Sequence, residues 1–110
     1  MRQLRRDRTI FALLMNIVRI YLEEGDRLAR EPQLRDAPDA DLLHLQQAAD
    51  QWLGLATGYV VRKHRCPMNV ALQLVAEMQA ELKATVPEAE VRRLPLAAVL
   101  ALPPGQPAAQ

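Results

Sequence analysis

The chain is 110 residues long with a net charge of +1 at pH 7; half of its residues are hydrophobic and a quarter charged, a single-domain size far from the composition of disordered proteins. Near-neutrality excludes a global pull toward nucleic acid or anionic lipid, and a lone Cys66 excludes an internal disulfide framework and fits a reducing cytoplasm. The aromatic residues are Phe11, Tyr21, Trp52 and Tyr59, so the core must come mainly from Leu, Val, Ile, Met and Ala, a palette that suits helices.

The first stretch imitates a signal peptide, with basic residues 1–9 followed by apolar residues 10–22. Asn16 and Arg19 interrupt the apolar run, and Glu23, Glu24, Gly25 and Asp26 follow where small cleavage-site residues belong. The run is also shorter than the roughly 20 residues needed to cross a bilayer, so it reads as a folded helix and no membrane partner is expected. That helix is predicted over residues 9–31 and ends at Pro32. Phe11, Leu14, Val18, Tyr21 and Leu22 form one apolar face, and Ile10, Leu13, Ile17 and Ile20 form a second. An apolar arc this wide calls for neighbours on more than one side.

A polar, acidic connector spans 32–38, with Asp36 or Asp39 available to cap the next helix. The second helix runs to about residue 64, and Leu42, Leu45, Ala49, Trp52, Ala56 and Tyr59 step alternately by three and four along it. Gly54 and Gly58, four apart, would let a neighbouring backbone approach closely. Arg65, Cys66 and Pro67 break the chain, with Pro67 placed as the first residue of a third helix and Cys66 as its cap. That helix reaches about residue 84, with Ala71, Leu74, Val75, Met78 and Leu82 as its buried stripe. Residues 87–94 suit a short helix, and the apolar residues 95–102 must dock on this chain or another. The predicted fold is all-α: an up-down-up three-helix bundle with a short C-terminal helical segment, one domain over 1–102, a disordered tail over 103–110, and completion of the core by a homodimer through Ile10, Leu13, Ile17, Ile20, Gly54 and Gly58.

Antiparallel neighbours would gather the basic residues Arg2, Arg5, Arg6, Arg8, Arg62, Lys63 and Arg65 with His64 at one pole, and Glu23, Glu24, Asp26, Glu31, Asp36, Asp39 and Asp41 at the other. Carboxylates at a helix start and cations at its end complement the helix dipole, but arginines ahead of the first helix do not. They are candidate contacts for an anion, and through it for nucleic acid. Cys66 beside His64 and Arg65 is the one candidate nucleophile. His44 has no second histidine at helical spacing to make a metal face, and no phosphate-cradling glycine loop or hydrolase signature is present. Neither a cofactor nor a metal is expected. The reading from sequence is a non-enzymatic interaction module, a regulator, adaptor or chaperone-like protein; the alternatives are a nucleic-acid-binding accessory protein acting through the basic pole and a thiol-dependent enzyme or redox sensor at Cys66.

Overall fold

The computed structural model describes residues 7–101. Within them the chain forms α1 (Arg8–Arg30), a 3-10 turn (Pro32–Arg35), α2 (Ala40–His64), α3 (Met68–Thr85), α4 (Glu88–Arg92) and α5 (Leu96–Leu100). The all-helical class expected from the sequence is what the structure shows. Residue 102, the tail 103–110, and Arg2, Arg5 and Arg6 lie outside the described residues.

Caps and prolines fix the boundaries. Asp7 opens α1, its carboxylate accepting from the amides of Thr9 and Ile10 at 2.9 and 3.4 Å, and Pro32 begins the 3-10 turn that follows. Asp39 rather than Asp36 caps α2, accepting from the Leu42 amide at 2.8 Å. Arg65 closes α2 in the left-handed region with φ 50°. The start of α3 corrects the sequence reading: Pro67, at φ −65° and ψ 157°, is itself the boundary residue, and the helix begins at Met68. The extended ψ of Pro67 keeps it out of the helix, so Cys66 caps nothing.

α1 and α2 run antiparallel, as their cross-helix bonds show: Lys63 meets Asp7, Gln46 meets Glu24, and Asp39 and Asp41 meet Arg27. α3 returns from α2 and meets α1 through its C-terminal turns. Met78, Glu81, Leu82 and Thr85 line a groove with Phe11 and Leu14, while Lys83, on the other flank of α3, lines a second groove with Val18 and Leu22. Contact between the two helices thus lies in the second half of α3.

The C-terminal segment answers the question left by residues 95–102: as far as residue 101 it docks on its own chain. Arg92 forks onto Asp26 of α1 at 2.8 and 3.2 Å, and the Arg19 Nε donates to the Leu94 carbonyl at 3.0 Å. Finally, the buried Trp52 indole donates to the Val99 carbonyl at 2.7 Å. Val91 and Val99 join the same core cluster as Ile10, Ile17, Ile20, Leu42, Val60 and Val75.

This overturns the argument for a companion along α1. Ile10, Ile17 and Ile20 have no solvent exposure, and Leu13 is half-buried against the same core. The surplus apolar face exists, but α2, α4 and α5 cover it. Full burial is worth about 1.5–3 kcal/mol for a side chain of this size, and at Ile10, Ile17 and Ile20 none of that is left over for a partner. A Cβ added at Gly54 would meet nothing within 4 Å beyond its own helix backbone, and one added at Gly58 would meet the Arg62 guanidinium at 3.2 Å. No helix within the chain makes a close approach at either glycine.

Candidate interaction surface

With Ile10, Ile17 and Ile20 buried, the large apolar side chains still exposed among the described residues are Phe11, Leu43, Met68, Val70 and Leu72. Single exposed hydrophobics are ordinary. Three of these five, however, fall within the first five residues of α3, and residues 68–76 carry no charge at all.

The local cause is the way α3 is seated. Ala71, Val75, Met78 and Leu82 turn inward, at the three-and-four spacing of one helix face. Met68 and Leu72 occupy one flank of that face and Val70 and Leu74 the other. Val70, Leu74 and Met78, spaced by four, lead into the open groove that Phe11 and Leu14 share with Leu82, which has a volume of about 130 Å³. The early turns of α3, with α2 behind them, thus present apolar side chains on both flanks, and Phe11, 43% exposed, continues the surface onto α1. Sequence reasoning took the inward stripe and left Met68, Val70 and Leu72 aside. The missed signal was the nine-residue uncharged run on a helix with a single inward face.

The basic pole is partly spent inside the chain. Lys63 donates to Asp7 Oδ2 at 2.8 Å and to the Tyr59 hydroxyl at 3.0 Å, and Tyr59 donates to the same carboxylate oxygen at 2.7 Å. Burial would raise the Asp7 pKa, but the bonds from Lys63, Tyr59 and the Ile10 and Thr9 amides outweigh it and hold the group at about 2. The same bonds raise the Lys63 ammonium above its ordinary range. Asp7 is the functional polar group that the sequence reading missed, an N-cap hidden among arginines. Arg8, Arg62 and Arg65 stay exposed.

Arg27 ties together the carboxylates around the first connector of the acidic pole. Arg27 reaches Asp39 at 2.6 Å, Glu31 at 3.2 Å and Asp41 at 3.3 Å. The amide of Leu42 and the charge of Arg27 together lower the Asp39 pKa.

Cys66 is half-buried, and its thiol points at the Val60 carbonyl oxygen 3.9 Å away. The His64 Nε2 is buried with no hydrogen-bond partner, so no base is joined to the thiol by a hydrogen bond as a nucleophilic pair needs. His44 lines a shallow charged groove with Glu23, Arg27 and Asp41 over Leu45, Leu96 and Leu100. Among the described residues no three of His, Cys, Asp and Glu converge on a point where a metal could sit, and no helix is long and apolar enough to cross a membrane. The chain matches no model of a known protein family, no curated protein and no solved structure.

Proposed function

We propose that this protein is a non-enzymatic interaction module whose docking surface is the N-terminal half of α3 together with Phe11. The observation that carries the reading is the clustering of Met68, Val70 and Leu72, respectively 55%, 39% and 47% exposed, on an uncharged stretch of one helix. Covering the exposed half of a Met or Leu side chain is worth about 1 kcal/mol, so a partner that spans several of these groups gains enough to matter. An amphipathic helix laid over the flank that carries Met68 and Leu72 is the natural form of such a partner. The arrangement around Cys66 and the ion pair that ties up Lys63 lend less support to the thiol and nucleic-acid alternatives.

Site-specific photo-crosslinking in the cell that makes the protein tests the reading. A photoreactive amino acid at Leu72 or Met68 should give defined adducts, and the same group at Gln47, exposed on α2, should not. Equal labelling from all three positions, or none from Leu72 and Met68, would refute the assignment of this face.

A further inference from the structure

We infer that the partner of the α3 face is an acidic amphipathic helix of another protein, laid along the flank that carries Met68 and Leu72 with its carboxylates against Arg65 and Lys83; the inference rests on the reading of that face as a docking surface. At about 100° per residue, Met68, Ala76, Gln79 and Lys83 all lie within about 40° of Leu72 around the helix. Met68, Leu72, Ala76 and Lys83 are exposed and Gln79 is half-buried. The flank is therefore one strip, apolar in its early turns and cationic at its far end. Both carboxylates of α3 stand elsewhere. Glu77 lies about 140° and Glu81 about 180° round from Leu72, on the side of Val70 and Leu74.

The near end of the strip is cationic as well. The chain holds no carboxylate between Asp50 and Glu77, while Arg62, Lys63 and Arg65 close α2 directly ahead of α3. Asp7, which does reach this end, is buried and already bonded to Lys63 and Tyr59. Arg65 and Lys83 are exposed and have no ion-pair partner among the described residues. α3 also starts with no side-chain cap and no acidic residue in its first turn, which leaves the positive end of its dipole uncompensated. At the far end, Glu88 lines a groove with Lys83 but is bonded to Arg92 at 3.0 Å.

An occupant that covers Met68 and Leu72 thus meets free cations at both ends of the contact and no carboxylate along it. Acidic side chains on that occupant gain from this arrangement, and basic ones are repelled. Nucleic acid fits less well, because no basic residue lies between Arg65 and Lys83, and Met68 to Lys83 alone spans about 22 Å of helix, several phosphate spacings. An anionic bilayer asks for a broader apolar face rimmed by many cations.

The test uses the full chain with a photoreactive amino acid at Leu72, crosslinked in the cell, and reads the sequence of the fragment joined to it by mass spectrometry. That fragment should come from another protein and carry more Asp and Glu than Lys and Arg within about two helical turns of the attachment point. Arg65→Glu with Lys83→Glu should lower the yield of the adduct on the order of fivefold, and Glu77→Lys, on the far side of the helix, should not lower it. Arg65→Gln with Lys83→Gln should give a smaller loss in the same direction, with far-ultraviolet circular dichroism unchanged because neither cation has a partner to lose. A synthetic peptide copied from the captured fragment should bind the full chain, and its version with Gln for Glu and Asn for Asp should bind on the order of fivefold more weakly.

A captured fragment that is neutral or basic, a yield indifferent to both double substitutions, or an adduct with a second copy of this chain, a lipid or a nucleic acid would overturn the acidic helix and leave the docking face standing. Absence of any adduct from Leu72 and from Met68 would bring down the docking face, and the acidic helix with it.

Discussion

Replacing Asp7 by asparagine separates the two tasks of one side chain. Oδ1 accepts the Thr9 and Ile10 amides, and asparagine supplies an oxygen for that task. Oδ2 accepts from Tyr59 and Lys63, and in asparagine that position becomes an NH₂ group. The Tyr59 hydroxyl can turn and accept from it, but the Lys63 ammonium can only donate. The carboxylate sits at about 2 against an ordinary 3.8, a displacement that corresponds to about 2.4 kcal/mol if fully realised. Lys63 is 52% exposed, and solvent screening through it cuts the contribution to about 1 kcal/mol. The sign follows from linkage: a depressed carboxyl stabilises the fold above its unfolded value, and that stability is lost as pH falls from about 4 to 2.

Asp7→Asn should therefore cost about 1–2 kcal/mol at neutral pH, and Asp7→Ala about 1 kcal/mol more through the lost cap. Urea unfolding followed by circular dichroism measures both. The difference between the native chain and Asp7→Asn should shrink as pH drops through this window, and a double-mutant cycle with Lys63→Met should give a coupling near 1 kcal/mol. A difference that does not change with pH, or a coupling under about 0.3 kcal/mol, would refute the account of this cluster.

Trp52→Phe removes the indole donor and leaves the buried Val99 carbonyl unpaired, which should destabilise by about 1–3 kcal/mol in the same assay. Ile17→Ala opens a cavity at a fully enclosed site and should cost about 2–5 kcal/mol; a change under about 1 kcal/mol would show that the α1 face is not sealed. Gly54→Ala places a methyl group where nothing stands within 4 Å and should stabilise the helix by about 0.5–1 kcal/mol, read as a higher midpoint of thermal unfolding. A loss instead would mean that something packs against that glycine in solution.

Helix boundaries were legible because proline and aspartate punctuate this chain: Pro32 and Asp39 stand where the expected breaks fall. The start of α3 was misjudged because its cap depends on backbone torsions at Arg65 and Pro67 that residue type does not dictate. The wide apolar arc of α1 was legible too, but its covering was not. Where residues 88–100 dock along α1 could not be read from their own pattern. That is decided by bonds between distant positions, Arg19 to Leu94 and Trp52 to Val99, which no local pattern encodes. The docking surface lay hidden for the converse reason. Met68, Val70 and Leu72 look like core residues in the sequence, and only the seating of α3 shows that they are left outside.

The strap that docks on α1 is made well after the helix it covers. Ile20 leaves the ribosome's catalytic centre about eighty residues ahead of Val99, and at about 5–20 residues per second that is an interval of roughly 4–16 seconds. During it a newborn chain carries a greasy helix with one side uncovered, a natural handle for chaperones. A messenger truncated shortly before the codon for Val99 would yield a product that keeps its main helices but never closes, and quality-control proteases would clear it.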